Sequence, residues 1–393
     1  MVPYRDHAFG NFRQLLEQVT LSPAMGKFLS LNKSKKANPK KNSYPDENYA
    51  REVMQLFTIG LWELDSDGQS VLDSDGKPKP TYSQQDVEEM ARVLTGWTSS
   101  NAIDPMHSVS HNHDMGQKKV LHAIFPEGQS PEQDLSQAMD LLFNHPNTPT
   151  YFSTLLIKRL TTSNPHRAYI KRVSDVFRDN GYGVRGDLKA VIKAVLLDSD
   201  VLEGKAMSDY QNTGNSSNNF GKVKEPVVAM ANLARALEVT SNRPHCWSDF
   251  PGLGNNNFGQ APLEAPSVFN FYEAEYSPKG EIFDKKLVAP EFNILNMCTL
   301  RAISNRMWAV IEGTGHRRGW NWDRSEFKRA IDNPDRYLDL LNLRFFGGNM
   351  PSDLSNFLKN MLLENRQNGQ SADQQINDTL FAIQCSPEFR CQY

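Results

Sequence analysis

A chain of 393 residues, 39% of them hydrophobic, is long enough to bury a large core in one domain or two. Its 43 basic residues nearly balance 46 acidic ones, for a net charge of −3, so the whole-chain charge argues for neither nucleic acid nor an anionic membrane as partner. No run of about 18 apolar residues occurs, so no membrane span is expected, and Met1-Val2-Pro3-Tyr4-Arg5-Asp6-His7 does not read as a signal peptide.

Lys33, Lys35, Lys36, Lys40 and Lys41 form a local basic run among Asn, Ser and Pro. It reads as a solvated loop, with a polyanion-binding loop as the sharper alternative. The stretch Pro45 to Leu61 reads as one helix with two faces. Tyr49, Ala50, Val53, Met54, Phe57 and Leu61 recur at helical spacing and form an apolar face. Asn48, Arg51, Glu52 and Gln55 stand three, four and seven apart on a polar stripe. An amide, a guanidinium and a carboxylate together suit orienting a ligand or locking a buried network.

Leu61 to Thr81 contains Asp65-Ser66-Asp67-Gly68 and Asp73-Ser74-Asp75-Gly76, whose Asp-Gly turns between short apolar runs predict a small hairpin at about 61–82. A calcium loop is the rival, but the further ligands and the final Glu of an EF-hand are not in place. Ser83-Gln84-Gln85-Asp86 resembles a capping box and opens a helix with Val87, Met90, Ala91, Leu94 and Trp97 inward. Ser130-Pro131-Glu132-Gln133 is a fuller one, followed by Leu135, Met139, Leu142 and Phe143 on one face. Thr148-Pro149 and Asn164-Pro165 open two more helices, the second stopping at Asn180-Gly181. Leu188, Val191, Ile192, Val195 and Leu196 mark another, and amphipathic stretches follow near 225–238, 290–312, 351–364 and 372–384.

The polar, Gly- and Asn-rich segment 208–222 reads as a flexible linker or loop between helical regions 1–207 and 223–393 of what is expected to be one continuous domain. A second such stretch, 252–260, precedes Gln260 to Tyr272, read as an ordered loop packed on helices, with an exposed aromatic platform for a sugar or peptide as the alternative. Cys246, Cys298, Cys385 and Cys391 lack metal-ligand spacing, and although Cys385 and Cys391 are close enough to pair, spacing alone does not decide it. The fold class expected is all-α: a multi-helix globular bundle with a small β-hairpin insertion.

The 45–61 stretch, Thr81 to Val87 and Ala91 to Trp97 together resemble the domain of unknown function 1800 family. Further blocks agree: Ala8 to Arg13, Ser22 to Gly26, His113 to Lys118, Lys158 to Leu160 with Ser163 to Pro165, Phe258 to Gln260, Pro266 to Phe269, and Ser386 to Phe389. The resemblance covers nearly the whole chain and implies a mostly helical protein. It implies export in many members, hence a periplasmic or extracellular full-length parent, and a sulfatase-like exported protein of a neighbouring gene as a partner. Members carry a longer region before the block that begins here at Ala8, so the chain resembles an N-terminally truncated member. The resemblance supplies no reaction.

His107, His111 and His113 stand four and two apart, beside Asp114. Gly, Ser and Asn around them indicate a loop, and no metal site is assigned. The family block picks out His113, Asp114, Gly116 and Lys118 rather than all three histidines. By residue type His113 is a candidate general base, Asp114 its orienting group and Lys118 an anion holder, with a loop packed by polar contacts as the alternative. Glu52 joins the catalytic candidates on one condition: beside Arg51 it is an ordinary ion pair, but buried away from Arg51 its pKa rises into a useful range. Arg51 and Arg92 are candidates to clamp a carboxylate, sulfate or phosphate; Asn48 and Gln260 complete the ligand-binding set. Lys158 and Arg159 are read as helix-terminal charges. No Gly-rich phosphate loop, Gly-x-Ser-x-Gly elbow or His-Glu-x-x-His motif occurs, and the cofactor is unknown. The favoured reading is an exported enzyme acting on an anionic glycan or related polymer. The alternatives are a non-catalytic binding or assembly partner and an inactive truncated member.

Overall fold

The computed structural model describes residues 2–203, 220–241, 258–261, 264–313 and 320–392. Most of the segment 208–222 and most of 252–260 lie outside the described residues, as does Cys246. Met1–Phe220 and Gly221–Tyr393 form two units. Both are helical, with short two-stranded antiparallel pairs as the only sheets among the described residues.

In the N-terminal unit, the helices Thr148–Leu160, Arg167–Arg178 and Leu188–Leu196 pack together around Ile157, Tyr169, Val173, Phe177, Val191 and Val195. Phe12, from the helix Phe12–Thr20, enters this core with its ring centroid 4.2 Å from that of Phe152 and 5.5 Å from that of Phe177. The helices Gln84–Val93 and Pro131–Asn144 open with Ser83 and Ser130, each in a complete reciprocal capping box. Beside them lie two β-pairs, Trp97–Thr98 with His107–Ser108 and Lys118–Val120 with Ala123–Phe125. Trp97, expected on the helix, therefore belongs to a strand; the left-handed Gly96, at φ 92°, separates the two elements.

Pro45 to Leu61 is not one helix. The helix covers only Asn48–Gln55. Beyond it the Met54 carbonyl accepts from both Ile59 and Gly60 N–H (2.9 and 3.0 Å), and the Thr58 hydroxyl donates to the Val53 carbonyl at 2.5 Å. These bonds use the last helical acceptors to close a tight turn at left-handed Gly60, φ 72°. Tyr49, Ala50, Val53 and Met54 face the core, but Leu61, past the turn, is 44% exposed.

The β-hairpin is present and doubled. Bridges Trp62↔Pro80, Leu64↔Ser70 and Leu72↔Pro78 fold the chain into two successive turns. Asp65 Oδ1 accepts from the N–H groups of Asp67 and Gln69, and Asp73 Oδ1 from those of Asp75 and Lys77, at 2.9–3.1 Å. The repeated Asp-Ser-Asp-Gly is thus turn chemistry: each leading Asp closes its own backbone, and each Gly takes a positive φ.

The C-terminal unit packs Pro226–Ala236, Met297–Glu312, Ser325–Ile331, Pro334–Phe346, Ser352–Gln367 and Ala372–Cys385 around a separate core that includes Met307, Tyr337, Leu358, Ile376 and Leu380. Its first strand, Lys222–Val223, pairs with its last, Cys391–Gln392. Among the described residues, Cys385 and Cys391 are not joined to each other. No described helix is long and apolar enough to cross a membrane.

Candidate functional site

His113 and Lys118 meet at a residue absent from the sequence-derived set, Asp134. His113 follows a short 3-10 turn, Ser110–Asn112, and its Nδ1–H donates to the Thr95 carbonyl at 2.8 Å. Its Nε2 lies 3.1 Å from Asp134 Oδ2, the same oxygen that accepts from Lys118 Nζ at 2.6 Å. All three side chains have zero exposure. The backbone of Gly96 makes room for His113: a Cβ there would stand 3.0 Å from the histidine Cβ. This arrangement pins the Lys118–Val120 strand and the His113 loop to the helix Pro131–Asn144. A buried carboxylate holding a buried ammonium fixes register, and no substrate reaches either group without unpacking the unit. The sequence does carry one signal for Asp134. It stands on the face of Pro131, Leu135, Ala138, Met139 and Leu142, where an acid is out of place unless paired.

Asp114 does not orient His113. It pairs with Arg92 through two contacts, Nε to Oδ2 at 2.8 Å and Nη2 to Oδ1 at 3.2 Å. Burial opposes ionisation of Asp114, but the Arg92 guanidinium and the Gly116 N–H more than offset it and hold the carboxyl below its ordinary range. Arg92 also donates to Glu89 and to the Gln117 carbonyl, so its fork is already filled. His107 and His111 are exposed. Among the described residues no three His, Cys, Asp or Glu side chains converge to hold a metal ion.

The polar stripe of the helix Asn48–Gln55 is divided. Asn48 is exposed. Arg51 turns away from its neighbour, to Glu47 at 3.1 Å and Gln84 at 2.9 Å. Gln55 accepts from the Tyr82 hydroxyl at 2.9 Å. Glu52 is 6% exposed, and its Oε2 is buried with no hydrogen-bond partner among the described residues. Burial pushes the Glu52 carboxyl up, and the charge of Arg51 opposes this only in part.

Two tyrosines share this setting. Burial raises Tyr82, with Arg51 lowering it and Glu52 adding to the rise. Tyr151 is pushed up to about 12 by burial, with Tyr82 and Glu52 adding to the rise. The Tyr151 ring lies against Gly60, where a Cβ would come within 2.6 Å of it. Asn147, just ahead of the helix that carries Tyr151, accepts from Leu64 N–H at 2.6 Å and donates to the Trp62 carbonyl at 2.9 Å. This clamp brings the half-exposed Trp62 to the start of that helix. The arrangement sets a carboxyl with unspent hydrogen-bonding capacity in the field of two phenols, while Trp62 is tied through Asn147 to the start of the helix that carries Tyr151. Tyr82 lies inside a block that resembles the family; for Tyr151 the sequence holds no signal, because only the fold brings its helix to Gly60.

Gln260 belongs to the C-terminal unit. Its Oε1 accepts from Val227 N–H at 3.1 Å and its Nε2 donates to Glu225 at 2.9 Å. Tyr272 donates to the other Glu225 oxygen at 2.8 Å. These bonds tie the loop to the first turn of the helix Pro226–Ala236. Phe269 is exposed at 55% but Tyr272 only at 3%, so the segment 269–272 forms no flat aromatic platform.

No curated protein and no solved structure matches this chain. The model of the family described as protein of unknown function (DUF1800) matches residues 3–391, and the chain belongs to that family.

Proposed function

We propose that this chain is an exported enzyme acting on an anionic glycan or related polymer, with Glu52 as its general acid. One observation carries the reading: Glu52 combines a buried, unpartnered carboxyl oxygen with a raised pKa, whereas His113, Asp114, Arg92 and Lys118 are committed to other side chains. A carboxyl whose burial favours the protonated form can deliver its proton to a leaving glycosidic oxygen, a step common to hydrolysis and elimination. Tyr82 and Gln55 position that region, and Trp62 offers a face on which a sugar ring stacks. On this reading Arg51 supplies partial positive charge toward the bound polymer. Asn48, at the exposed end of the stripe, supplies an amide for hydroxyl groups.

The test is turnover of a panel of sulfated and uronic-acid polysaccharides, read as new reducing ends or unsaturated uronyl absorbance. Glu52→Gln is expected to lose about 100-fold or more in kcat with an unchanged or raised melting temperature. Turnover that survives this substitution would sink the reading. A second reading, a non-catalytic assembly partner of another exported protein such as a sulfatase-like neighbour, rests on the saturation of the other polar candidates. It is favoured by stable capture of that partner with no turnover of any polymer.

A further inference from the structure

The basic run at Lys33–Lys41 is ordered by backbone hydrogen bonds. Lys33 N–H donates to the Trp97 carbonyl at 2.8 Å, Gly96 N–H to Ser34 at 2.9 Å, and Lys36 N–H to Asn112 at 2.7 Å. Asn38 and Ser43 exchange two bonds, at 2.7 and 3.2 Å, around the 3-10 turn Pro39–Lys41. Ser34 alone among residues 33–43 is buried, and every lysine of the run points into solvent. Among the described residues, Lys33, Lys35, Lys36, Lys40 and Lys41 form no ion pair, although the chain elsewhere pairs its charges freely. No Asp or Glu occurs between Lys33 and Pro45. The fold therefore holds five like charges together on a fixed scaffold with no counter-charge of their own, an arrangement that repels itself and that a polyanion relieves.

We infer that this loop is a binding surface for a linear sulfated or carboxylated polysaccharide. Exposed Asn38, between Lys36 and Lys40, and exposed Asn42 and Ser43, directly after Lys41, offer amide and hydroxyl groups to sugar hydroxyls. Residues 33–43 include no arginine to fork a phosphate and no aromatic to stack a base, although exposed Tyr44 follows directly, and Ala37 is their one apolar side chain apart from Pro39, so nucleic acid and lipid bilayer fit the loop less well. Tyr44-Pro45-Asp46-Glu47 alone separates the loop from the helix that carries Glu52. The inference deepens the proposed function and rests on it for the fate of the bound polymer, but not for binding itself.

The experiment measures binding of the full chain to sulfated dextran, with neutral dextran of the same length as control, across a salt series. Wild-type protein is expected to bind the sulfated polymer alone, with affinity falling steeply as salt rises. The doubles Lys35→Gln/Lys36→Gln and Lys40→Gln/Lys41→Gln, all at exposed positions, are each expected to weaken binding about 10-fold at low salt and to flatten the salt slope, with an unchanged melting temperature. Glu52→Gln is expected to bind as wild type, so lost turnover and lost binding separate the two claims. Unchanged affinity in both doubles, equal binding of neutral dextran, or tighter binding of duplex DNA or phosphatidylglycerol vesicles would overturn the inference.

Discussion

Glu52 and Asp134 are both buried carboxyls on helices, and their partners set them apart. Asp134 accepts from Lys118 and faces His113 in a space closed to water. Removing it leaves an ammonium buried without its counter-ion. Asp134→Ala should therefore cost about 3–5 kcal/mol in urea unfolding; a cost below about 1 kcal/mol would show that the trio is not a structural pin. Glu52 has no such partner, and its folded-state pKa is raised by burial. The folded protein then holds the Glu52 proton more tightly than the unfolded chain does. Its contribution to stability is fully present below the ordinary carboxylate range and is lost as pH rises through the raised value. Glu52→Gln should remove that decline, so the stability difference between variant and wild type should grow in the variant's favour with rising pH, as read by denaturant titrations at several pH values. Asp114 is the mirror case: its lowered pKa beside Arg92 gives stability that is present above the ordinary carboxylate range and lost as pH falls.

Among the elements, the punctuation at Ser83, Ser130 and Thr148-Pro149 opened helices where it stood, whereas the helix expected from Asn164-Pro165 starts at Arg167 with His166 as its N-cap. The reciprocal capping boxes at Ser83 and Ser130 satisfy donors that a helix start otherwise leaves open. Ser130→Ala should cost about 1 kcal/mol, measured by thermal unfolding, and a neutral result would mean that Pro131 alone sets the helix start. The helix after Pro45 was the case where periodicity overran. The apolar spacing continues through Phe57 to Leu61, but the turn bonds from Ile59 and Gly60 to Met54 end the helix early. That turn matters because Gly60 backs the Tyr151 ring. Gly60→Ala puts a Cβ both at positive φ and 2.6 Å from the ring. It is expected to destabilise the protein by more than about 1 kcal/mol and to shift Tyr151 fluorescence or chemical shifts. An unperturbed Tyr151 would mean that the contact is not tight.

At the scale of the molecule, each unit has its own apolar core, and the C-terminal unit is closed by its own ends. Val223 pairs with Cys391, and Lys224 N–H donates to the Arg390 carbonyl while its ammonium donates to the Phe389 carbonyl at 2.8 Å over the Phe389 ring. Deleting Arg390 to Tyr393 should lower the melting temperature of this unit by several degrees, on the scale of a few lost hydrogen bonds. An unchanged transition would show that the helices alone hold it.

Many helix positions, the Ser83 and Ser130 caps and the Asp-Gly turns were legible along the chain, because each depends on residues within a few positions of one another, and family membership was legible from ordered blocks spread along it. The helices Phe12–Thr20, Ser325–Ile331 and Pro334–Phe346 were not expected. The roles of single side chains were not legible. Arg51, next to Glu52 in sequence, bonds instead to Glu47 and Gln84; Asp114, next to His113, bonds to Arg92. Asp134 shows in sequence only as an acid on an apolar helix face, its partners appearing when separate elements pack, and Tyr151 enters only through that packing. Pairing and burial depend on which groups meet across the core, and so does whether a carboxyl keeps its proton. Local sequence therefore determined the elements of this protein, and tertiary packing decided which of its polar residues are spent on structure and which remain available for chemistry.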